Sequence, residues 1–518
     1  MSDYIAAIDA GTGSGRCVIF DSLGTQIALA SREWSHPTLP EYPGSFIFET
    51  DQNWKLLCES IREALQKGHL HSDDIRAVSA TSMREGMVLY DKEGKEIWAC
   101  PNVDSRARTE VSQLIKKGLA KKIYSRAGDW LAITSPPRFL WIKKHQPEIY
   151  RRTAHMTMIS DWILYRLSGS FVTDPSAGSS SNLFQLSKRT WSDEIIKWCG
   201  LPRDIFPQVF EPGTIIGDVT EHAASETGLK KGTPVVQGGA DTQLGLIGIG
   251  AVDANNSTAI GGTFWQQTIV TDKPVIDPQF RLRTLCHAVP GLWMTEGIGF
   301  LCGLTMRWFR DAFCEREKEM AAQQGVDPYF LLEKQAENVS PGSNGIIPIF
   351  SDVMNAKRWV HAAPSFIQFD INQPQRSGVK ECFRAIEESA AYVARGHMQI
   401  LEAITRRKTK EIVFCGGASK GVLWPQILAD VLGVRVKIPV VRESTALGAA
   451  ICAGIGVGLF SNLQAGKRIV KWDRVVEPDQ TTHRKYLKLY DRWIKVYSRM
   501  AQLAEDNLVE PMWRAAGT

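Results

Sequence analysis

The sequence has no apolar run long enough to cross a membrane. The longest uncharged apolar run, "ALGAAICAGIGVGLF" at 446–460, is rich in glycine and falls short of the roughly 20 residues a span needs; it reads as a buried helix and turn. No C-x-x-C occurs among the ten cysteines, so neither a zinc site nor a disulfide framework is indicated. Scattered, reduced thiols fit a cytoplasmic protein. The start, "MSDYIAAID", lacks the basic and apolar segments of a secretory leader. Charge is equally unremarkable in sign: the net +5 over 518 residues is too mild to argue for a nucleic-acid partner. Two phosphate-binding signatures are missing as well. No G-x-x-x-x-G-K-[ST] is present at the N-terminal glycine cluster, and the run after its glycines is strand-like, not the helix that a dinucleotide fingerprint opens.

What is present is an alternation of strand-like and helix-like segments in a chain of 518 residues. That length exceeds the roughly 250–300 residues at which single cores stop growing. "IRAVSATSM" (75–83) reads as a strand, and "NWKLLCESIREALQKG" (53–68) as an amphipathic helix ending at Gly68. Residues 139–152 have helical spacing broken at Pro147, 159–169 form a short helix, and 381–407 a long one. Such alternation predicts α/β layers. Near the C-terminus, Tyr486, Tyr490, Trp493, Tyr497 and Met500 fall on one helical face, the pattern of a packing helix.

Six polar or glycine-rich stretches stand out. The first, "AIDAGTGSGRCVIFD" (7–21), reads as strand, turn, strand; its backbone N–H groups and the hydroxyls of Thr12 and Ser14 can hold an anion, although alone it reads first as a plain hairpin. The same device returns in "TAIGGTFWQQTIV" (258–270), after a shift in composition at 251–258. Two halves, 1–250 and 251–518, each opening on such a turn, suggest a duplicated fold holding a nucleotide between them. "IVFCGGASKGVLWPQILADVLG" (412–433) runs from a strand through Gly416 and Gly417 to a helix, with Ser419 as a donor; alone, it reads first as a helix cap. "VVQGGADTQLGLIGIG" (235–250) sets Asp241 after two glycines, where a carboxylate either caps a helix or accepts a proton from an attacking hydroxyl. "SATSMREGMVLYD" (79–91) ends a strand on Arg84 and Glu85; by default these are a solvated pair, but at a cleft they can hold substrate oxygens. "ACPNVDSRAR" (99–108) offers Asn102 and Asp104 in a similar loop.

The order of these stretches resembles the FGGY carbohydrate kinases, over roughly residues 4–500. The resemblance implies two ribonuclease-H-like domains of the actin and hexokinase superfamily with an ATP cleft between them. It implies that Asp9, Gly11, Thr12 and Ser14 face the ATP phosphates, with magnesium held at Asp9 through water. Gly261, Gly262 and Thr263 hold phosphates from the other side, and Gly416, Gly417 and Ser419 form the adenosine loop. Asp241 is the implied base; Arg84, Glu85, Asp104 and Thr242 are implied at the substrate. Thr242 departs from the Gln that glycerol-kinase-like members carry, and Trp265, as apolar wall or core residue, departs as well. The runs "SMREG", "GGTFWQQ" and "TMRWFRDAFC" are similar to one branch, whose substrate is (S)-4,5-dihydroxypentane-2,3-dione, the open form of a bacterial quorum-sensing signal. The resemblance leaves two rivals, a pentulose or polyol kinase and an actin- or Hsp70-like ATPase. Some relatives are regulated by a phosphocarrier protein of sugar uptake, for which the sequence carries no sign. Oligomeric state leaves no trace in the sequence either.

Overall fold

The computed structural model describes residues 3–299, 301–440 and 443–515. Its frame is two mixed sheets with one plan. The first contains β1 (Tyr4–Ala10), β2 (Ser14–Asp21), β3 (Gln26–Glu33), β4 (Ile75–Ser82), β5 (Ile215–Asp218) and β6 (Pro234–Ala240), in the order β5-β6-β4-β1-β2-β3. The second contains β7 (Ser257–Gly261), β8 (Trp265–Thr271), β9 (Arg283–Cys286), β10 (Trp293–Gly299), β11 (Glu411–Cys415), β12 (Arg435–Pro439) and β13 (Trp472–Val476), in the order β9-β10-β8-β7-β11-β12-β13. In each sheet a leading hairpin pairs antiparallel, and its first strand pairs parallel with the strand that comes after a long excursion. The two glycine-rich turns therefore occupy equivalent places, at the ends of β1 and β7. The central strands are alanine-, valine- and isoleucine-rich and almost wholly buried, as expected of strands covered on both faces.

The predicted helices form: α1 (Thr50–Lys67), α2 (Ile159–Ser168), α5 (Val379–Thr405) and α8 (Gln480–Glu505), with α3 (Asp241–Gly248), α4 (Cys302–Phe313), α6 (Leu423–Leu432) and α7 (Ser444–Gly456) completing those that matter here. The segment 139–152 splits at Gln146, before Pro147, because the residue before proline is driven out of the helical region. Tyr486, Tyr490 and Trp493 of α8 are buried in the core of the second half, with Tyr497 and Met500 packed against it. No helix among the described residues is long and apolar enough to cross a membrane.

Residues 250 and 251, where the sequence divides, lie in the short link between α3 and β7. On either side of the link the helices cross over. α7, from the second half, packs on the first sheet through Leu447 and Ile451 against Ile5, Val18 and Val236. Leu246 of α3, from the first half, packs with Val270, Leu285 and Met294 of the second sheet. The two helices touch each other through glycine: a Cβ on Gly448 would overlap the carbonyl oxygen of Leu244, and one on Gly248 that of Ser444. This crossing joins the two halves through backbone contact. Gly448→Ala is expected to lower stability by about 1–3 kcal/mol, the range for overpacking a tight core. An unchanged thermal denaturation midpoint would contradict a close backbone crossing.

Candidate functional site

The site is built where β1, β4 and β6 end side by side, since those neighbouring strands are parallel. Asp9 lies near the end of β1, Arg84 and Glu85 come directly after β4, and Asp241 opens α3 directly after β6. Ligands gather at the carboxyl ends of strands in such sheets.

Asp9 is buried, and Arg16 grips its Oδ2 through Nε (2.8 Å) and Nη2 (2.6 Å). The other face of Arg16 reaches Glu443 at 2.9 Å, so one cation ties the first turn to the entrance of α7. No hydrogen-bond donor among the described residues reaches Oδ1 of Asp9. In the turn, Trp34 Nε1–H donates to the carbonyls of Gly11 (3.2 Å) and Thr12 (3.1 Å), and His36 Nε2–H to that of Thr12 (2.6 Å). The Thr12 hydroxyl donates to Asn102 Oδ1 at 3.1 Å. With its carbonyls drawn back in this way, the turn can present N–H groups.

Asp241 is not an N-cap; Ala240 holds that place. The Asp241 carboxylate stays about a third exposed (37%), open toward the cleft. Its Oδ1 accepts the Thr242 N–H at 2.6 Å and lies 3.9 Å from Arg84 Nε. Enclosure by the surrounding protein pushes its pKa up to about 6; Arg84 opposes the rise, and Asp9 and Glu85 add to it. The Thr242 hydroxyl lies 3.2 Å from Asp241 Oδ1 and 3.3 Å from Gln266 Oε1 on β8. It has one proton to give, and so links the carboxylate to the second sheet.

Arg84 and Glu85 are not the solvated pair that adjacent opposite charges suggest. Both are buried, at 5% exposure each. Arg84 Nη1 donates to Glu296 Oε1 at 2.6 Å. Arg283 also bonds Glu296, reaches Glu85 Oε1 at 2.8 Å and lies 3.5 Å from Asp129 Oδ2. Glu85 holds a left-handed backbone (φ 60°), a costly state for a side chain with a Cβ. Arg138 bonds its carbonyl and Ser180 accepts its N–H, which fixes that conformation. Burial disfavours ionised Glu296, but Arg283 and Arg84 hold its carboxyl below the usual range. Burial pushes Asp129 up to about 6, against Arg283. Arg283, Glu296 and Asp129 carry no sequence signal of their own: two are ordinary strand residues, and one sits in a loop.

Asp104 does not join the site. Its Oδ2 accepts from the Phe46 N–H (2.8 Å) and Arg106 Nε (2.7 Å) in a buried loop, while its Oδ1 is buried without a hydrogen-bond partner. Trp265 is a core residue, fully buried between Phe414 and Trp424, and forms no cleft wall.

The second turn and the "CGG" loop line a shared cavity of about 560 Å³ with Gly261, Gly262, Thr263, Gly417, Lys420 and Trp424 among its walls. Gly416 (φ 92°) is needed because a Cβ there would strike the Gly261 carbonyl. Ser419, expected to donate to a nucleotide, instead gives its hydroxyl proton to the Gly416 carbonyl at 2.9 Å and closes the turn. The next helix begins only at Leu423. Residues of α4 and of the segment after it, Arg307, Arg310 and Tyr329 among them, complete the cavity. Arg307 and Arg310 fall in the run "TMRWFRDAFC" that carries the branch resemblance, but their spacing, that of any amphipathic helix, assigns them to no cavity.

Residues 4–248 match the N-terminal domain of the FGGY family of carbohydrate kinases, and residues 259–457 its C-terminal domain. The chain is 46% identical to the autoinducer-2 kinase of Salmonella typhimurium over 518 residues and 47% identical to that of Escherichia coli, covering 99% of this chain and 98% of each relative. Among solved structures it is similar to a gluconate kinase from Lactobacillus acidophilus (TM-score 0.86, 20% identity, 98% of this chain and all of that one). It is also similar to a Plasmodium falciparum glycerol kinase with ADP (TM-score 0.82, 19% identity, 96% and 98%).

Proposed function

The chain belongs to the FGGY family of carbohydrate kinases, and from that premise we propose that it transfers the γ-phosphoryl group of ATP to the terminal hydroxyl of autoinducer-2 in its open form, (S)-4,5-dihydroxypentane-2,3-dione. The observation that carries this reading is the pairing of Asp241 with Arg84 at the strand ends, in a chain that matches autoinducer-2 kinases from end to end.

Phosphoryl transfer asks mainly for positioning and charge stabilisation. Arg84 and Glu85, locked by Arg283 and Glu296, offer a donor and an acceptor to the vicinal oxygens of the substrate. Asp241 orients the primary hydroxyl and takes its proton as it attacks the γ-phosphorus. Thr242 holds the carboxylate through its N–H. Arg16 and the N–H groups of the first turn neutralise charge on the phosphates, and Gly261, Gly262 and Thr263 receive them from the second half. Asp9 fits a magnesium ion, directly or through water, because Oδ1 is left free while Arg16 fixes Oδ2. Bound there with ATP, magnesium would offset negative charge on the phosphates. Closure along the α3–α7 seam would exclude water and protect ATP from hydrolysis. The ten cysteines are free and buried, in keeping with a cytoplasmic enzyme.

The base must be ionised to work. With Asp241 near 6, kcat/KM is expected to hold steady above pH 7 and to fall as pH drops through about 6, approaching tenfold per unit. A profile flat from pH 5 to 8 would contradict this role. The regiochemistry is tested by phosphorus and proton NMR of the product: three-bond coupling of phosphorus to the two C5 protons supports the proposal, and such coupling to the C4 proton instead overturns it.

A further inference from the structure

Two consecutive glutamates of α5 are wholly buried, and they are treated very differently. Glu388 is saturated: its oxygens accept from the Gly342 N–H, the Ser343 hydroxyl, Arg384 and the Tyr486 hydroxyl. Neither oxygen of Glu387 has any hydrogen-bond partner. A buried polar group without a partner costs free energy and calls for an explanation. Glu387 lines the cavity that holds Gly261, Gly262 and Thr263 at its phosphate end. Trp424 lines the same cavity, and its indole N–H is buried and equally without an acceptor. An unmet acceptor pair and an unmet donor thus border one cavity, which the apolar side chains of Phe383 and Met306 also line.

We propose that Glu387 reads the 6-amino edge of the adenine ring, with the Trp424 indole N–H donating to a ring nitrogen. This rests on reading the cavity as the nucleotide pocket. Adenine places an N–H donor beside a ring-nitrogen acceptor, and a protonated carboxyl places an acceptor beside an O–H donor. Glu387 is held in that protonated form: burial drives its pKa well above the carboxylate range, Glu333 and Glu388 add to the rise, and Arg384 opposes it. The flat ring then lies against Phe383 and Met306 while the phosphates run to the glycine turns.

The test is calorimetric binding of ADP and of purine riboside diphosphate, which lacks the 6-amino group, to the intact wild type, Glu387→Leu and Glu387→Gln. The wild type is expected to bind ADP about tenfold more tightly than the analogue, the scale of one or two neutral hydrogen bonds. Glu387→Leu should lose that preference while competition by tripolyphosphate stays unchanged. Glu387→Gln, whose amide presents the same donor and acceptor, should keep most of it. If Glu387→Leu retains the wild-type preference, or Glu387→Gln loses it as fully as Leu does, the role of Glu387 is overturned. If the wild type binds no ADP at all, the nucleotide reading of the cavity fails and the proposal falls with it.

Discussion

Asp241→Asn is expected to reduce turnover by about 10²–10⁴-fold, the usual worth of general-base help, while ADP affinity changes by no more than about threefold. The amide keeps the shape of the side chain and can still accept the Thr242 N–H, now made at 2.6 Å. It cannot take a proton. Asp241 opens α3 beside the first turn, and the cavity walls near the second turn do not include it, so nucleotide binding should persist. Steady-state ADP release and calorimetry on one preparation separate the two effects. A variant that kept a tenth or more of wild-type turnover would show that the proton leaves by another route, with Asp241 only orienting the hydroxyl.

Arg283→Ala is expected to be the most destabilising single change at the site. One guanidinium faces Glu85, Asp129 and Glu296, and its own pKa is raised because those three carboxylates outweigh its burial. Without it, Arg84 alone answers the cluster. Breaking a buried ion pair costs about 3–5 kcal/mol, which for a chain of 518 residues corresponds to a fall in melting temperature of about 3–5 °C. The sign with pH is set by Glu296, whose folded pKa is depressed. Such a group contributes stability above its unfolded pKa and loses it as pH falls through the folded one. The gap between wild type and variant should therefore be wide at pH 8 and narrower near pH 4. Arg283→Lys should recover only part, because an ammonium cannot present the fork that serves several carboxylates at once. A melting temperature within about 2 °C of wild type at pH 8 would mean that water already screens the cluster.

The local signals in this chain are legible because they are written in consecutive residues. A strand running into "DAGTGSG" or "GGTF" needs only its own neighbours to turn, and both turns sit at the ends of equivalent strands. Asp241 after Gly238 and Gly239, and Arg84 and Glu85 at the end of β4, are visible for the same reason. Pairing across the chain is not legible in this way. Arg283 belongs with Glu85 although 198 residues separate them, and β9 reads as an ordinary strand. Asp104 looks like an open loop carboxylate; Arg106 is its neighbour in the chain, but only the fold brings the Phe46 N–H onto it. Trp265 leaves wall and core equally open until β11 and α6 close around it. Ser419 carries the same ambiguity, because a hydroxyl near a glycine loop can serve a ligand or its own turn; here it donates to the Gly416 carbonyl.

The central claim is the acceptor, and it is tested most directly by ADP release from the purified protein with magnesium-ATP, comparing dihydroxypentanedione with xylulose, ribulose and glycerol at equal concentrations. Strong turnover on the dione, with the sugars and glycerol near background, is the predicted result. Turnover on xylulose, ribulose or glycerol that matched or exceeded the dione would contradict it, leaving the fold and the role of Asp241 in place but assigning the cleft to a different alcohol.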